Sequence, residues 1–391
     1  MTEKITGKHG VESEDKTEEI FNQTFFRDFT FRSPRKDDKN KKEITDALIA
    51  FDDVLLIVQV KSQKTDREPS LWIQSNLTKA INQLSGAINY IKSKRKIEIK
   101  DSRRGQFEIN FEDYRLIYGL IIIDQSDSTR IDVSSYTDEF YKKHKHAIQI
   151  ISLKDFNKVC QIFDTAEEVL HYYDMRQMFL TANNILLHDE QYFLSIAVNH
   201  FSELSKQYRQ FINSPKIEGE NIHLFDQEEY YKSRMAGLES EEYIYSKIID
   251  DIIDHCHKFD EALYDSISSE RARSIINPGQ YFMIAHELAK TGRRTRIKHG
   301  KSIMSRVSEA RTCGFRKDLF ISISSKLRST AYLYYIPKIG TSREEIMIMV
   351  AGRAMKYIQK HPEFNIVISI GIEFDGKGNV RYQYSMIKNC N

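Results

Sequence analysis

Two predicted strands place a carboxylate, an amide and an ammonium group on one face of a hairpin. The strands are Glu43–Phe51 and Val54–Ser62, and the two residues between them supply a turn. With that turn the last residue of the first strand pairs with the first residue of the second, so that Asp46 lies opposite Gln59. Lys61 joins them, because alternate side chains of a strand share one face.

Polar side chains in such an apolar hairpin need partners. Burying them beside Leu48 and Ile57 costs free energy unless they pair with each other or bind a cation. The residues therefore leave two interpretations open, a cation site or a structural salt bridge between Asp46 and Lys61. Both interpretations depend on the register of the hairpin, which a turn of odd length would shift. The same register places Ile44 opposite Lys61.

The hairpin sequence DALIAFDDVLLIVQVK resembles the core of the PD-(D/E)xK nuclease superfamily, which has the restriction-endonuclease-like fold. The pattern of that family has an acid on the second core strand, a short turn, and (D/E)-x-K at the end of the third strand, after a helix that bears a Glu. Gln59 replaces the second acid, and this departure is similar to the Q-x-K variant of the Mrr-like restriction branch. The resemblance covers residues 10–155 and implies metal-dependent hydrolysis of DNA phosphodiester bonds, in restriction or anti-phage defence.

The resemblance also implies roles for individual residues. Asp46 would bind the metal, and the Gln59 side-chain oxygen and the Val60 carbonyl would complete a set of hard oxygen ligands for Mg²⁺ or Mn²⁺. The metal would polarise a phosphoryl oxygen and lower the pKa of a bound water, which Lys61 would orient or help deprotonate. Gln in place of an acid favours one metal over two, or weaker metal affinity. The acid of the first helix would be Glu19.

Several residues compete for the remaining roles. Glu18 and Glu12 are alternatives to Glu19, and Gln83 lies in the next helix, where several branches of the family carry a helper Gln. A solvated helix face is the other interpretation of each of these residues.

The composition excludes whole classes of protein. The chain has 391 residues, 40% hydrophobic and 29% charged, which is typical of a globular protein and excludes a fibrous or disordered one. No apolar run reaches the ~18 residues that span a bilayer, and the N-terminus is polar, so we expect a soluble cytoplasmic protein with no membrane partner. The four cysteines form no CxxC pair, which excludes a zinc ribbon or a disulfide framework.

The net charge of +2 conceals segregated charge. Lys290–Lys317 contains ten Lys and Arg residues against one acid, whereas Glu218–Glu270 contains fifteen acids against four. Two further basic segments, Arg27–Lys42 and Lys92–Arg104, make nucleic acid a reasonable partner, with solvated surfaces as the alternative. The acidic segment would dock a partner or shield a DNA-binding face. The predicted phosphate contacts are Arg293, Arg294, Arg296 and Lys298.

Periodicity predicts an α/β fold in three parts. Residues 1–155 would form a mixed sheet flanked by helices, residues 156–275 a helical region, and residues 276–391 a C-terminal α/β domain. The resemblance implies that the first part has the restriction-endonuclease-like fold. In the first part, residues 1–16 would be disordered and Thr17 would open a short helix. The other predicted elements of that part are Phe29–Phe31, Leu71–Lys94, Tyr114–Asp124 and Ile148–Leu153.

The later elements follow from the same reasoning. Thr165 would cap a helix in a capping box with Glu168, and two more helices would cover Glu190–Tyr208 and Glu241–Leu263. The C-terminal domain would contain strands Leu319–Ser325 and Ala331–Ile336, helix Ser342–His361, and a hairpin of Asn365–Glu373 with Asn379–Met386 across Asp375-Gly376-Lys377-Gly378.

Two other functions remain open at this level. The first is a catalytically inactive nuclease fold that binds DNA or a protein, which Gln59 keeps possible. The second is a ribonuclease or toxin-like effector that depends on a defence-system partner protein. Cleavage of both DNA strands would favour a homodimer.

Overall fold

The computed structural model describes most of the chain. Its residues are 3–24, 29–36, 42–63, 68–101, 105–125, 129, 131–180, 190, 193–194, 197, 241–256, 278–325, 329–374 and 380–389. Within them the fold is mixed α/β with three sheets. None of the described helices is both long and apolar enough to cross a bilayer.

Contacts within the chain divide it into two compact units, Met1–Arg234 and Met235–Asn391. This division differs from the predicted one, because the predicted helical region contributes to both units. Its first helices pack on the N-terminal sheet, and its last described helix packs on helices of the C-terminal unit.

The first unit is built around a five-stranded sheet in the order β1-β2-β3-β6-β7. The three strands β1, β2 and β3 are antiparallel neighbours, whereas β3, β6 and β7 run parallel. The strands β4 and β5 form a separate hairpin. The elements are α1 (Glu3–Thr24), β1 (Thr30–Arg32), β2 (Ala47–Phe51), β3 (Val54–Ser62), α2 (Pro69–Lys94), β4 (Lys96–Asp101), β5 (Gly105–Asn110), β6 (Leu116–Asp124), α3 (Ser134–His144), β7 (Ala147–Ser152), α4 (Leu153–Ile162) and α5 (Ala166–Leu180).

The helix predicted over Leu71–Lys94 is confirmed as α2. Leu77, Leu84, Ile88 and Ile91 are buried against the sheet. Gly119 in β6 permits this close packing, because a Cβ there would lie 2.9 Å from Leu84 Cδ1. The sheet and α2 thus form a rigid frame for the end of β3.

Helix α1 corrects a prediction. It begins at Glu3, so the disorder expected over residues 1–16 is wrong from residue 3 onward, and the helix start at Thr17 is wrong as well. Residues 1 and 2 lie outside the described residues. The segment is polar, but the side chains of Ser13, Thr17 and Phe21 are buried on one side of the helix. The Phe21 ring packs on Phe156 of α4 at 5.2 Å between centroids. Packing against the rest of the unit therefore stabilises a helix that its own composition does not favour.

Three elements of this unit were not predicted, the strands β4 and β5 and the helix α3. The hairpin of β4 and β5 occupies part of the basic segment Lys92–Arg104, and α3 lies between β6 and β7. Short charged strands such as KIEIKD resemble a solvated helix face when only charge is considered. One hydrogen bond of the predicted capping box of α5 is present, since Glu168 N–H donates to Thr165 Oγ1 at 3.4 Å.

The second unit has a four-stranded sheet in the order β11-β10-β9-β8, with α9 as the crossover between the parallel strands β9 and β10. A capping box of Ser342 and Glu345 begins α9, as the sequence favours. The elements are α6 (Glu241–Cys256), α7 (Pro278–Ala289), α8 (Arg293–Thr312), β8 (Leu319–Ser325), β9 (Thr330–Ile336), α9 (Arg343–Lys360), β10 (Ile366–Phe374) and β11 (Val380–Lys388).

The C-terminal α/β arrangement agrees with the predicted strands and helix. Most of the predicted helix Glu190–Tyr208, the end of Glu241–Leu263 after Cys256, and the predicted turn at 375–378 lie outside the described residues. The basic segment Lys290–Lys317 was not predicted to be a helix, and most of it forms α8.

Candidate active site

The predicted turn and register of the β2–β3 hairpin are confirmed. Phe51 pairs with Val54, and the pairing continues to Ala47 and Val58. Asp52 has a φ of 54°, which a two-residue hairpin turn requires and which Asp tolerates better than most residues.

The first strand of the hairpin is shorter than predicted. β2 begins at Ala47 and not at Glu43, because the preceding residues hydrogen-bond to the chain after β1. Ile44 N–H donates to the Pro34 carbonyl at 2.8 Å, so the predicted pairing of Ile44 with Lys61 does not form. Asp46 therefore stands just before the strand, at the edge of the sheet.

Asp46, Gln59, Val60 and Lys61 nevertheless meet, and we call these four residues the Asp46 cluster. The Lys61 ammonium donates to Gln59 Oε1 at 3.1 Å and to the Val60 carbonyl at 2.9 Å. Its nitrogen lies 3.6 Å from Asp46 Oδ2, which also accepts from Val60 N–H at 2.6 Å. The Asp46 and Lys61 side chains are each 15% exposed, so the cluster is largely buried and open at one side.

Thr45 orients the amide of Gln59, a role that the sequence pattern did not indicate. The Thr45 hydroxyl donates to the Val58 carbonyl and accepts from Gln59 Nε2 at 3.1 Å. Because the hydroxyl proton is already used, the Gln59 group next to Thr45 is the NH₂, and the amide oxygen points to Lys61. The Gln59 side chain is buried and held by its two neighbours.

Glu14, and not Glu19, is the acid of α1 that interacts with the cluster. Burial raises the pKa of Glu14, the negative charges of Asp46 and Glu43 raise it further, and the charges of Arg32 and Lys61 oppose them. Glu19 is exposed and lies five residues further, so its side chain points about 140° away around the helix.

Arg32 at the end of β1 fixes the rotation of α1. Its guanidinium contacts Asp15 at 2.6 Å, Glu18 at 2.8 Å and Glu14 at 3.8 Å. Glu18, an alternative first-helix acid, is thus engaged with Arg32, and the other alternative, Glu12, is exposed. The helix carries six acidic residues, and no sequence signal distinguishes Glu14 among them.

A further carboxylate lies at the same edge of the sheet. Asp124 ends β6 and pairs with Ser62, the residue after Lys61. Its Oδ2 accepts from Ser13 Oγ of α1 at 2.5 Å. Sequence reasoning placed Asp124 at the end of a strand but assigned it no role.

The oxygen atoms of the Asp46 cluster fit a cation. A carboxylate, an amide and a main-chain carbonyl converge on the Lys61 ammonium, and these are the ligand types that Mg²⁺ accepts. The described residues contain no group of three or more His, Cys, Asp and Glu side chains that could hold a metal ion. A metal here would therefore depend on the amide and carbonyl oxygens as well as on Asp46.

Other predicted site residues lie elsewhere. Gln83 is on the exposed side of α2. Arg293 and Arg296 are buried, and their guanidinium groups contact Asp250 of α6 at 2.7 Å and 2.6 Å. The prediction that these two arginines contact phosphates is wrong, because helix packing within the second unit already uses them.

The remaining predicted phosphate contacts, Arg294 and Lys298, are exposed on the outer side of α8.

Comparison of the chain with family models, with curated proteins and with solved structures gives no match. The chemistry assigned to the chain therefore rests on the Asp46 cluster and the acids beside it.

Proposed function

We propose that the chain is a metal-dependent endonuclease that hydrolyses phosphodiester bonds of DNA, in restriction or anti-phage defence, on a restriction-endonuclease-like fold. The observation that carries this proposal is the convergence of the Asp46, Gln59 and Val60 oxygens around a single cationic group at the edge of a mixed sheet. The order of elements also supports it, since a helix with an inward-facing acid precedes the hairpin and a long helix follows it.

Each residue of the site would have a different role in metal binding or catalysis. Asp46, Gln59 and Val60 would hold Mg²⁺ or Mn²⁺, a metal that polarises a phosphoryl oxygen and lowers the pKa of a bound water. Val60 N–H orients the Asp46 carboxylate, and Thr45 orients the Gln59 amide. Lys61 supplies a positive charge beside the position of the developing negative charge, in a largely buried environment where such a charge acts strongly.

Glu14 adds a carboxyl group beside Asp46. Because its pKa is raised, Glu14 takes up a proton at a higher pH than an ordinary Glu does, which relieves part of the repulsion between the two acids. A bound cation relieves the same repulsion at neutral pH, which is a physical reason for acids to collect at this edge.

A second candidate function is a DNA- or protein-binding module without catalysis. The observation that favours it is that the Lys61 ammonium already satisfies the Gln59 and Val60 oxygens, so the cluster is stable without a metal.

The test is cleavage of supercoiled plasmid and phage DNA by purified protein with Mg²⁺ and with EDTA. We expect nicking or linearisation that requires Mg²⁺, and its loss in Asp46→Ala. Asp53→Ala is the matched control, because Asp53 lies in the same hairpin but forms an exposed salt bridge with Arg115. Wild-type protein that leaves DNA intact, or Asp46→Ala protein that cleaves at the wild-type rate, would overturn the proposal, and cleavage of RNA alone would replace it.

A further inference from the structure

A groove in the second unit lies between α9 and the sheet that it covers. Its volume is about 1050 Å³. On the β8 side, the floor contains Phe320 and Leu333, and the wall is formed by one side of α9. We call this feature the α9 groove.

Three cations line the wall of the α9 groove. Arg353, Lys356 and Lys360 are exposed, and their spacing of three and four residues places them on one side of the helix. They extend over about 10 Å along the helix axis, at 1.5 Å per residue. None of the three has an ion-pair partner among the described residues, and no carboxylate lines the groove.

One of these cations is held in place. The Phe320 ring stacks on Tyr335 at 4.6 Å between centroids and 9° between planes. The Arg353 guanidinium lies 3.2 Å from the centroid of the Phe320 ring. This stack orients a positive charge over an apolar floor, so that less side-chain entropy is lost when an anion binds.

The combination of charge and apolar surface distinguishes among anionic partners. A nucleic acid duplex presents phosphates and sugars to its surroundings, and its bases would not reach the floor formed by Phe320, Leu333 and Met349. A single strand presents phosphates and unpaired bases together. A base can stack on the outer face of the Arg353 guanidinium, whose inner face lies on Phe320, while the neighbouring cations bind phosphates.

We propose that the α9 groove binds single-stranded nucleic acid, with phosphates on Arg353, Lys356 and Lys360 and bases stacked on the outer face of the Arg353 guanidinium. This goes beyond the proposed cleavage, because it concerns the second unit alone and holds whether or not the Asp46 cluster is catalytic. It also moves the predicted phosphate contacts of this unit from α8 to α9.

The outer side of α8 provides a matched control. Arg294, Lys298 and Lys301 are also exposed, and they also lie on one side of a helix. They do not line the α9 groove. Removing either set changes the charge of the second unit by the same amount.

The experiment measures binding of a fluorescent single strand of about 20 nucleotides to the full chain in EDTA, at several salt concentrations, by anisotropy. The variants are Arg353→Ala/Lys356→Ala/Lys360→Ala and Arg294→Ala/Lys298→Ala/Lys301→Ala. Three lost contacts on a single strand should flatten the slope of log affinity against log salt by about 2 units in the first variant. The second variant should keep the slope of the wild type, and Lys356→Arg/Lys360→Arg should keep it as well.

Each alternative outcome overturns the proposal. Equal slopes for wild type and the α9 variant, equal losses in both variants, or no binding by the wild type would exclude the α9 groove as the binding site. Tighter binding of a duplex of the same length would exclude a single strand as the preferred ligand. Competition by polyglutamate as strong as by an unlabelled oligonucleotide would identify an acidic peptide as the ligand. Thermal unfolding of each variant checks that all of them are folded.

Discussion

Two groups of oppositely charged side chains in this protein differ in how far they are exposed and in which groups they contact. The Asp46 cluster lies at the edge of a sheet, where Asp46 and Lys61 are each 15% exposed. The other group, which we call the Asp250 cluster, consists of Asp250, Arg293 and Arg296 and joins α6 to α8. Its two guanidinium groups are only 8% and 1% exposed.

The partners of the charges explain the difference. In the Asp250 cluster, Arg296 also donates to the carbonyls of Thr291 and Ala289 at 2.8 Å and 2.9 Å, so the neighbouring helices occupy its hydrogen-bonding groups. The two helices pack so closely that a Cβ on Gly300 would lie 1.9 Å from the Tyr245 carbonyl oxygen. There is no space for a ligand between them.

In the Asp46 cluster, by contrast, one ammonium group contacts oxygens that a metal or a substrate could share. Lys61 reaches its three partners through a flexible side chain at the end of a strand. A run of basic residues in the sequence therefore does not by itself identify a binding site. What identifies it is whether the charges face an open edge or are enclosed between packed helices.

The largest effect is expected where the charges are enclosed. Asp250→Ala would leave two buried guanidinium groups without their carboxylate, and breaking such a pair costs about 3–5 kcal/mol of the free energy of unfolding. Urea unfolding of the full chain measures it, with Asp251→Ala, at the exposed neighbouring position, as the control. A loss below about 1 kcal/mol would contradict the structural role of the Asp250 cluster.

The next effect concerns Gln59. If its amide oxygen binds the metal, Gln59→Leu should lose cleavage by a factor on the order of 100 or more, because a hard ligand becomes an apolar group. Gln59→Glu should preserve or raise cleavage, since it restores the charge of the commoner motif. Plasmid cleavage at fixed Mg²⁺ measures both, and an active Gln59→Leu protein would show that the amide is not a ligand.

Lys61→Met should separate metal binding from cleavage. The variant removes the ammonium that contacts Asp46, Gln59 and Val60, so cleavage should be lost while Mn²⁺ binding is retained or strengthened severalfold. The free-Mn²⁺ signal in electron paramagnetic resonance titrations gives the affinity directly. Weaker Mn²⁺ binding by Lys61→Met would mean that Lys61 supports the ligands and does not compete with a metal.

The smallest effect concerns Glu14. A carboxyl with a raised pKa stabilises the folded state at low pH, and this contribution is lost as the pH rises through its folded pKa. Glu14→Gln should therefore be more stable than the wild type at pH 7, by less than about 1 kcal/mol because the group is partly exposed, and the difference should vanish near pH 4. Urea unfolding at both values measures the difference, with Glu19→Gln as the control, since Glu19 points away from Asp46. Equal effects of both variants would contradict the inward position of Glu14.

Short-range pattern was sufficient to predict the geometry nearest the turn. The two-residue connection at Asp52 and Asp53 determines the pairing of β2 with β3, and strand alternation then brings Gln59 and Lys61 to the same side. The apolar period of α2 and the capping box of α9 were predictable for the same reason, because each depends on residues a few positions apart.

Long-range packing decided the rest. The six acids of α1 are equivalent in sequence. The buried side of the helix and its contacts with Arg32 place Glu14 near Asp46 and leave Glu19 in solvent. Likewise, a basic segment shows how many charges it carries but not which of them a distant carboxylate neutralises. Asp250 lies 43 residues before Arg293, and this contact exists only after α6 and α8 pack together. The sequence by itself determined the strand register and the residue types of the candidate site, whereas the tertiary structure decided which charges face solvent, because that depends on partners far apart in the chain.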